Sequence, residues 1–205
     1  MRTHTKESQQ NMTPEKAMQY LKEGNERFVQ NLKAHRDHLE QVNETREGQY
    51  PFATILSCID SRVSAELIFD QGLGDIFSIR IAGNILNEDI VGSMEFACKI
   101  AGSKLIVVLG HTRCGAVNGA VKDVKMGSLS GLLAKIKPAI ETVESKAEHD
   151  HGSDPYLDEV VEQNVQNVAK EILERSPILK DMVESGEIDI AKGVYSVDTG
   201  MVEFC

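Results

Sequence analysis

The sequence predicts an α/β fold: a central, mostly parallel β-sheet flanked by helices, with an N-terminal helical arm. Three short, continuous apolar runs carry that prediction: FATILS (52–57), DIFSIRIAGN (75–84) and KLIVVLGH (104–111). Between them lie ELIFDQGLG and NEDIVGSMEFACKIAG, which have helical spacing and end in glycine, the pattern of βαβ units. The runs also lack in–out alternation, which fits strands buried on both faces. With 205 residues, 41% apolar and 26% charged, the chain suits one domain with a full core.

Taken in order, residues 1–12 open with the polar MRTHTKESQQ and read as a mobile tail. Residues 13–50 form the arm. Its helix has Thr13 as N-cap and Pro14 in the first turn, with Ala17, Leu21, Phe28, Val29 and Leu32 on one stripe. That stripe packs either on the chain's own core or on a neighbouring subunit. HRDHLEQVNETREGQYP has no such stripe and reads as a polar connection. The α/β core spans 51–205. After its third strand the chain is mainly helical: SLSGLLAKIKPAIETVESK, a helix from Asp154-Pro155 to Arg175, and a short one in ILKDMVESG. The end, IDIAKGVYSVDTGMVEF, reads as a strand, a turn through Asp198, Thr199 and Gly200, and a return strand. No internal repeat or second domain is visible.

A net charge of −10 and the absence of Trp argue against broad nucleic-acid or anionic-membrane binding. No apolar stretch approaches the roughly 18 residues that span a bilayer. The polar start shows no signal-peptide core, so the expected location is the cytoplasm. Four cysteines (58, 98, 114 and 205) are too scattered for a disulfide scaffold and read as reduced thiols or thiolate ligands.

The chemistry sits where strands end. Cys58 follows the first strand in CIDSRV, while His111 and Cys114 follow the third in GHTRCGAV. In an open α/β sheet ligands bind beyond the carboxyl ends of the strands, so adjacent parallel strands bring these three side chains to one point. Two thiolates and one imidazole suit Zn²⁺. A structural zinc usually has four Cys or His ligands in closer pairs, so a set of three points to an open, reactive site. Asp60 lies two residues from Cys58 and can occupy or flank the fourth position. Arg62 can draw that carboxylate away through a bidentate pair, leaving the position to a water of lowered pKa. Position alone equally allows Asp60 and Arg62 to be a helix-start ion pair.

CIDSRV and GHTRCGAV, with Cys58 and His111 separated by 53 positions, resemble the β-class carbonic anhydrases, as do RIAGN (80–84), GSMEFA (92–97) and the GNERF segment. Most of the chain is covered. The resemblance implies one zinc per chain on Cys58, His111 and Cys114, an Asp60–Arg62 dyad, and reversible hydration of CO₂ by attack of zinc-bound hydroxide. Asp60 is then a fourth ligand only in a closed state. The resemblance is to the plant-like, non-allosteric branch: the allosteric branch carries a Trp shortly before the first ligand, where this chain has Ile55. It further implies a substrate pocket of Gln49, Phe77, Ala82 and Phe96, of which Ala82 and Phe96 depart from the usual branched aliphatic and Tyr. It also implies a homodimer or dimer of dimers in which Gln49 and Phe77 act across the interface.

Two other readings keep the same zinc site: hydrolysis of carbonyl sulfide or carbon disulfide, and a catalytically silent zinc- or bicarbonate-sensing module. An intact Asp60–Arg62 pair argues against the second. His149 and His151 suggest a metal tract but read as members of a solvated acidic loop, EHDHGSD. His35 and His38 suit proton shuttling or a solvated surface equally, and Cys98 reads as core packing.

Overall fold

The computed structural model of the protein describes residues 3–146, 150 and 153–205. Among these, five strands form one sheet in the order β2-β1-β3-β4-β5: β1 Ala53–Ser57, β2 Ile76–Arg80, β3 Leu105–His111, β4 Asp189–Tyr195 and β5 Val202–Phe204. All neighbours are parallel except β4 and β5, which meet antiparallel across the expected turn. Ser57 pairs with Arg80 on one side and Leu109 on the other, so β1, β2 and β3 end at one edge. Every residue of β1 and β3 is buried, which is why both read as unbroken apolar runs.

Helices cover both faces. On one, α2 (Pro14–Val29) and α4 (Ala65–Ile68) bring Ala17, Leu21, Ala65 and Ile68 against Phe52, Ile55 and Leu109. On the other, α5 (Glu88–Glu95), α9 (Asp154–Arg175) and α10 (Pro177–Glu184) bury Met94, Val165, Ile172 and Leu179 over Leu56, Ile106 and Val108. A third cluster closes the carboxyl edge, where α6 (Gly115–Val121), α7 (Gly127–Leu133) and α8 (Lys137–Glu144) meet α9. The stripe on α2 therefore serves its own chain. Ala17 and Leu21 are fully buried and Phe28 packs on the same cluster, while Val29 and Leu32 are exposed.

Two segments differ from the sequence reading, and a third, helical as expected, is divided. Within the expected tail, Lys6–Gln10 forms α1, closed by reciprocal bonds between Thr5 and Ser8. The buried Gln9 side chain donates to the carbonyls of Pro51 and Ala101, both at 2.8 Å. That docking is polar, so it leaves no apolar period to detect. The polar connection likewise contains α3 (His38–Thr45), started by Asp37 accepting from the Glu40 amide. The apolar stretch from 129 to 143 breaks into α7 and α8, with Pro138 in the first turn of α8, where no partner amide is needed. His149 and His151 lie outside the described residues.

Candidate metal centre

Cys58 comes immediately after β1, His111 is the last residue of β3, and Cys114 is the N-cap of α6. The turn between the last two passes through Arg113 in the left-handed region (φ 54°), which brings Cys114 back beside His111. All three side chains are buried, and their ligand atoms lie within 4.8 Å of one another. The carbonyl of Thr112 accepts from Nδ1 of His111 at 2.9 Å, so Nδ1 carries the proton and Nε2 offers a lone pair. That Nε2 is buried with no hydrogen-bond partner.

The donor set fits a soft divalent cation. Cys58 is held down to about 4, first by the bond from the Cys114 thiol, against burial, with His111 and the Gly83 amide adding. Cys114 is pushed far up by the adjoining Cys58 sulfur and by burial. Two buried sulfurs thus compete for one proton beside an imidazole whose only remaining function is to donate a lone pair. A zinc ion resolves all three demands at once.

Asp60 stands at the mouth of this cluster, outside the ligating group. Arg62 takes both its oxygens, Nε to Oδ1 at 2.9 Å and Nη2 to Oδ2 at 2.8 Å, and the Arg62 amide adds a third bond to Oδ1 at 2.9 Å. The Arg62 side chain holds the Asp60 carboxyl well below the usual range against partial burial, with the Arg62 amide helping. Arg80, at the end of β2, is a site residue that spacing does not reveal. Its guanidinium donates to the carbonyls of Cys58 at 3.0 Å and Asp60 at 2.6 Å, fixing the backbone that carries both side chains. Bonds to main-chain carbonyls leave no residue pattern, so only its place in RIAGN pointed to it.

Cys58 and Asp60 open into a cleft of ≈ 390 Å³, walled by Ala82, Gly115, Ala116, Leu129 and Leu133 among others. Of the expected pocket residues only Ala82 lines it. Phe77 and Phe96 pack edge to face, ring centroids 6.5 Å apart, in a separate surface groove. Gln49 is exposed in a third hollow beside Val42 and Leu73. A single chain therefore does not assemble the four; the sequence places them in one pocket only by resemblance. His38 lines a hollow with Lys33, Arg36 and Asp70, apart from the cleft. Cys98 is buried in the core as expected.

The carbonic anhydrase family profile matches residues 53–202. Carbonic anhydrase 2 of Mycobacterium tuberculosis (strain ATCC 25618 / H37Rv) is 37% identical over 194 residues, 93% of this chain and 92% of that protein. The solved β-carbonic anhydrase CcaA superposes with a TM-score of 0.73 at 27% identity, covering 92% of this chain and 91% of that one. The β-carbonic anhydrase CafA of Aspergillus fumigatus gives 0.72 at 26% identity, covering 92% and 88%. Fold, buried Cys-His-Cys cluster and relatives agree: this chain belongs to the carbonic anhydrase family, in its β class.

Proposed function

We propose that the chain catalyses the reversible hydration of carbon dioxide to bicarbonate and a proton. Cys58, His111 and Cys114 hold one zinc ion, which when bound supplies Lewis acidity that brings water ionisation into the neutral range. Arg62 keeps Asp60 ionised, so the carboxylate is an acceptor only. Oδ1 of Asp60 already accepts twice from Arg62, whereas Oδ2 accepts once and keeps a lone pair able to take a hydrogen from the nucleophilic water and turn the nucleophile's own lone pair outward. Arg80 ties down the backbone from Cys58 to Asp60. The aliphatic and small side chains of the cleft suit an uncharged, nonpolar substrate, and they offer a departing bicarbonate little to hold it.

The observation that carries this reading is the bidentate Asp60–Arg62 pair beside a buried two-sulfur, one-imidazole cluster. A structural zinc has no use for an ionised acid held at its open side. The reading also places the protein in the plant-like, non-allosteric branch and in the cytoplasm, where thiols stay reduced. The active form is a homodimer, alone or paired, in which Gln49 and Phe77 reach the cleft of the other copy. Stopped-flow CO₂ hydration with zinc analysis tests the activity. Zinc at one per chain with no hydration between about pH 7 and 9 would overturn it.

A further inference from the structure

Helix α9 touches the metal centre from behind through one buried amide. Gly83 donates its backbone N–H to the Cys58 sulfur at 3.3 Å, and its carbonyl accepts from Nδ2 of Asn164 at 2.9 Å. One peptide unit flanks each bond, so the two bonds grip the same residue from opposite sides. Gly83 has φ 67°, and a Cβ there would lie 2.8 Å from the Cδ1 of Ile136. Asn84 follows at φ 42°. Two successive left-handed residues persist only where their surroundings fix them.

Asn164 is 2% exposed on a face of α9 otherwise built from Val160, Val161, Val165 and Val168. An amide in such company is costly to bury unless its bonds are made. The same face sits directly on β3: a Cβ at Gly110 would lie 2.7 Å from Val165 and 2.8 Å from Val161, one residue before His111. α9 thus bears on both halves of the metal cluster, by packing on Gly110 beside His111 and by a hydrogen bond to Gly83, which in turn bonds Cys58.

We propose that Asn164 is a positioning residue for the metal centre. Through Gly83 it aims an N–H at the Cys58 sulfur and so sets how tightly that thiolate holds zinc. The inference rests on the zinc-site reading above. Groups that orient a metal ligand from the next layer typically change metal affinity 10- to 100-fold when removed.

The test compares Asn164→Ala and Asn164→Leu with Val168→Ala, which loosens α9 without touching Gly83. Zinc-loaded proteins are mixed with a chromogenic chelator to follow metal release, and cobalt-substituted proteins are read by their sulfur-to-cobalt charge-transfer absorption. Both Asn164 variants are expected to release zinc about tenfold faster or more and to shift that absorption, while Val168→Ala lowers Tm and leaves both unchanged. Asn164→Leu keeps the side-chain volume and removes the donor without burying a charge, so it stands in if the alanine variant does not fold. Release and absorption like wild type in a folded Asn164 variant, or the same change in Val168→Ala, overturn the proposal. If wild-type protein binds no zinc at all, the metal-site reading fails instead.

Discussion

Arg62 meets Asp60 edge to edge, with two parallel N–H···O bonds of 2.9 and 2.8 Å and a third from its own backbone amide. That geometry belongs to guanidinium alone; an ammonium cannot form the fork. Arg62→Lys should therefore keep zinc and lose much of the CO₂ hydration rate. Asp60→Asn should also keep zinc and fall by about 100-fold or more, the range of a lost proton acceptor. Full activity in Asp60→Asn would remove the acid from the mechanism. Zinc content and stopped-flow rates on the same samples decide both.

Cys58→Ser and Cys114→Ser each replace a buried thiolate by a hydroxyl that does not ionise in the working range. Metal content should drop to background in both. Serine at Cys58 also inherits the Gly83 amide as its bonding partner, so that variant should stay folded while empty. Metal analysis beside circular dichroism separates metal loss from unfolding.

Asp70 anchors the arm. It is buried, takes Arg27 and Arg36 at 2.6 Å each, and accepts the Ala34 amide. Burial raises its pKa, but the bonds from Arg27, Ala34 and Arg36 outweigh that and leave it lowered. A lowered folded value means the carboxylate stabilises the fold above the ordinary range near about 4 and loses that contribution as pH falls through the folded value. Asp70→Asn should cost about 3 kcal/mol at neutral pH and flatten the acid side of the stability curve. Urea melts at a series of pH values measure both.

Gln9 fastens α1 to the entry of β1 through the Pro51 carbonyl and to the turn before β3 through Ala101. Gln9→Ala leaves two carbonyls unpaired, one of them buried, and should cost about 2 kcal/mol without altering zinc content. Thermal melts with metal analysis test it.

The shared-site reading has a complementation test. Gln49→Ala and Asp60→Asn should each be weak alone. Mixed, unfolded and refolded together, they should regain about a quarter of native sites, because a mixed dimer has one site with both residues intact. No recovery in a confirmed mixed dimer would show that Gln49 does not act across an interface.

What the sequence could reveal follows from the kind of signal each feature leaves. β1 and β3 announce themselves because burial on both faces demands unbroken apolar runs. Cys58, His111 and Cys114 stand out because few residues ligate zinc, and strand ends are where such groups meet. α1 and α3 are held by caps and polar bonds, which imprint no period. Phe77 and Phe96 look like pocket walls by resemblance, yet a folded single chain puts them in a groove of their own. Arg80 and Asn164 act on main-chain carbonyls, which every residue possesses, so apart from the place of Arg80 in RIAGN nothing in their neighbourhood marks them out.

The pairing of Ser57 with Leu109 sets the order of events in assembly. Cys58 and His111 are 53 positions apart, and nothing local draws them together. They become neighbours only once β1 and β3 lie side by side in final register, a long-range closure that a folding chain reaches slowly. A slip of one residue would send every side chain of the strand to the opposite face and separate the pair. An ion held by all three ligands would therefore mark a chain whose sheet is already in register.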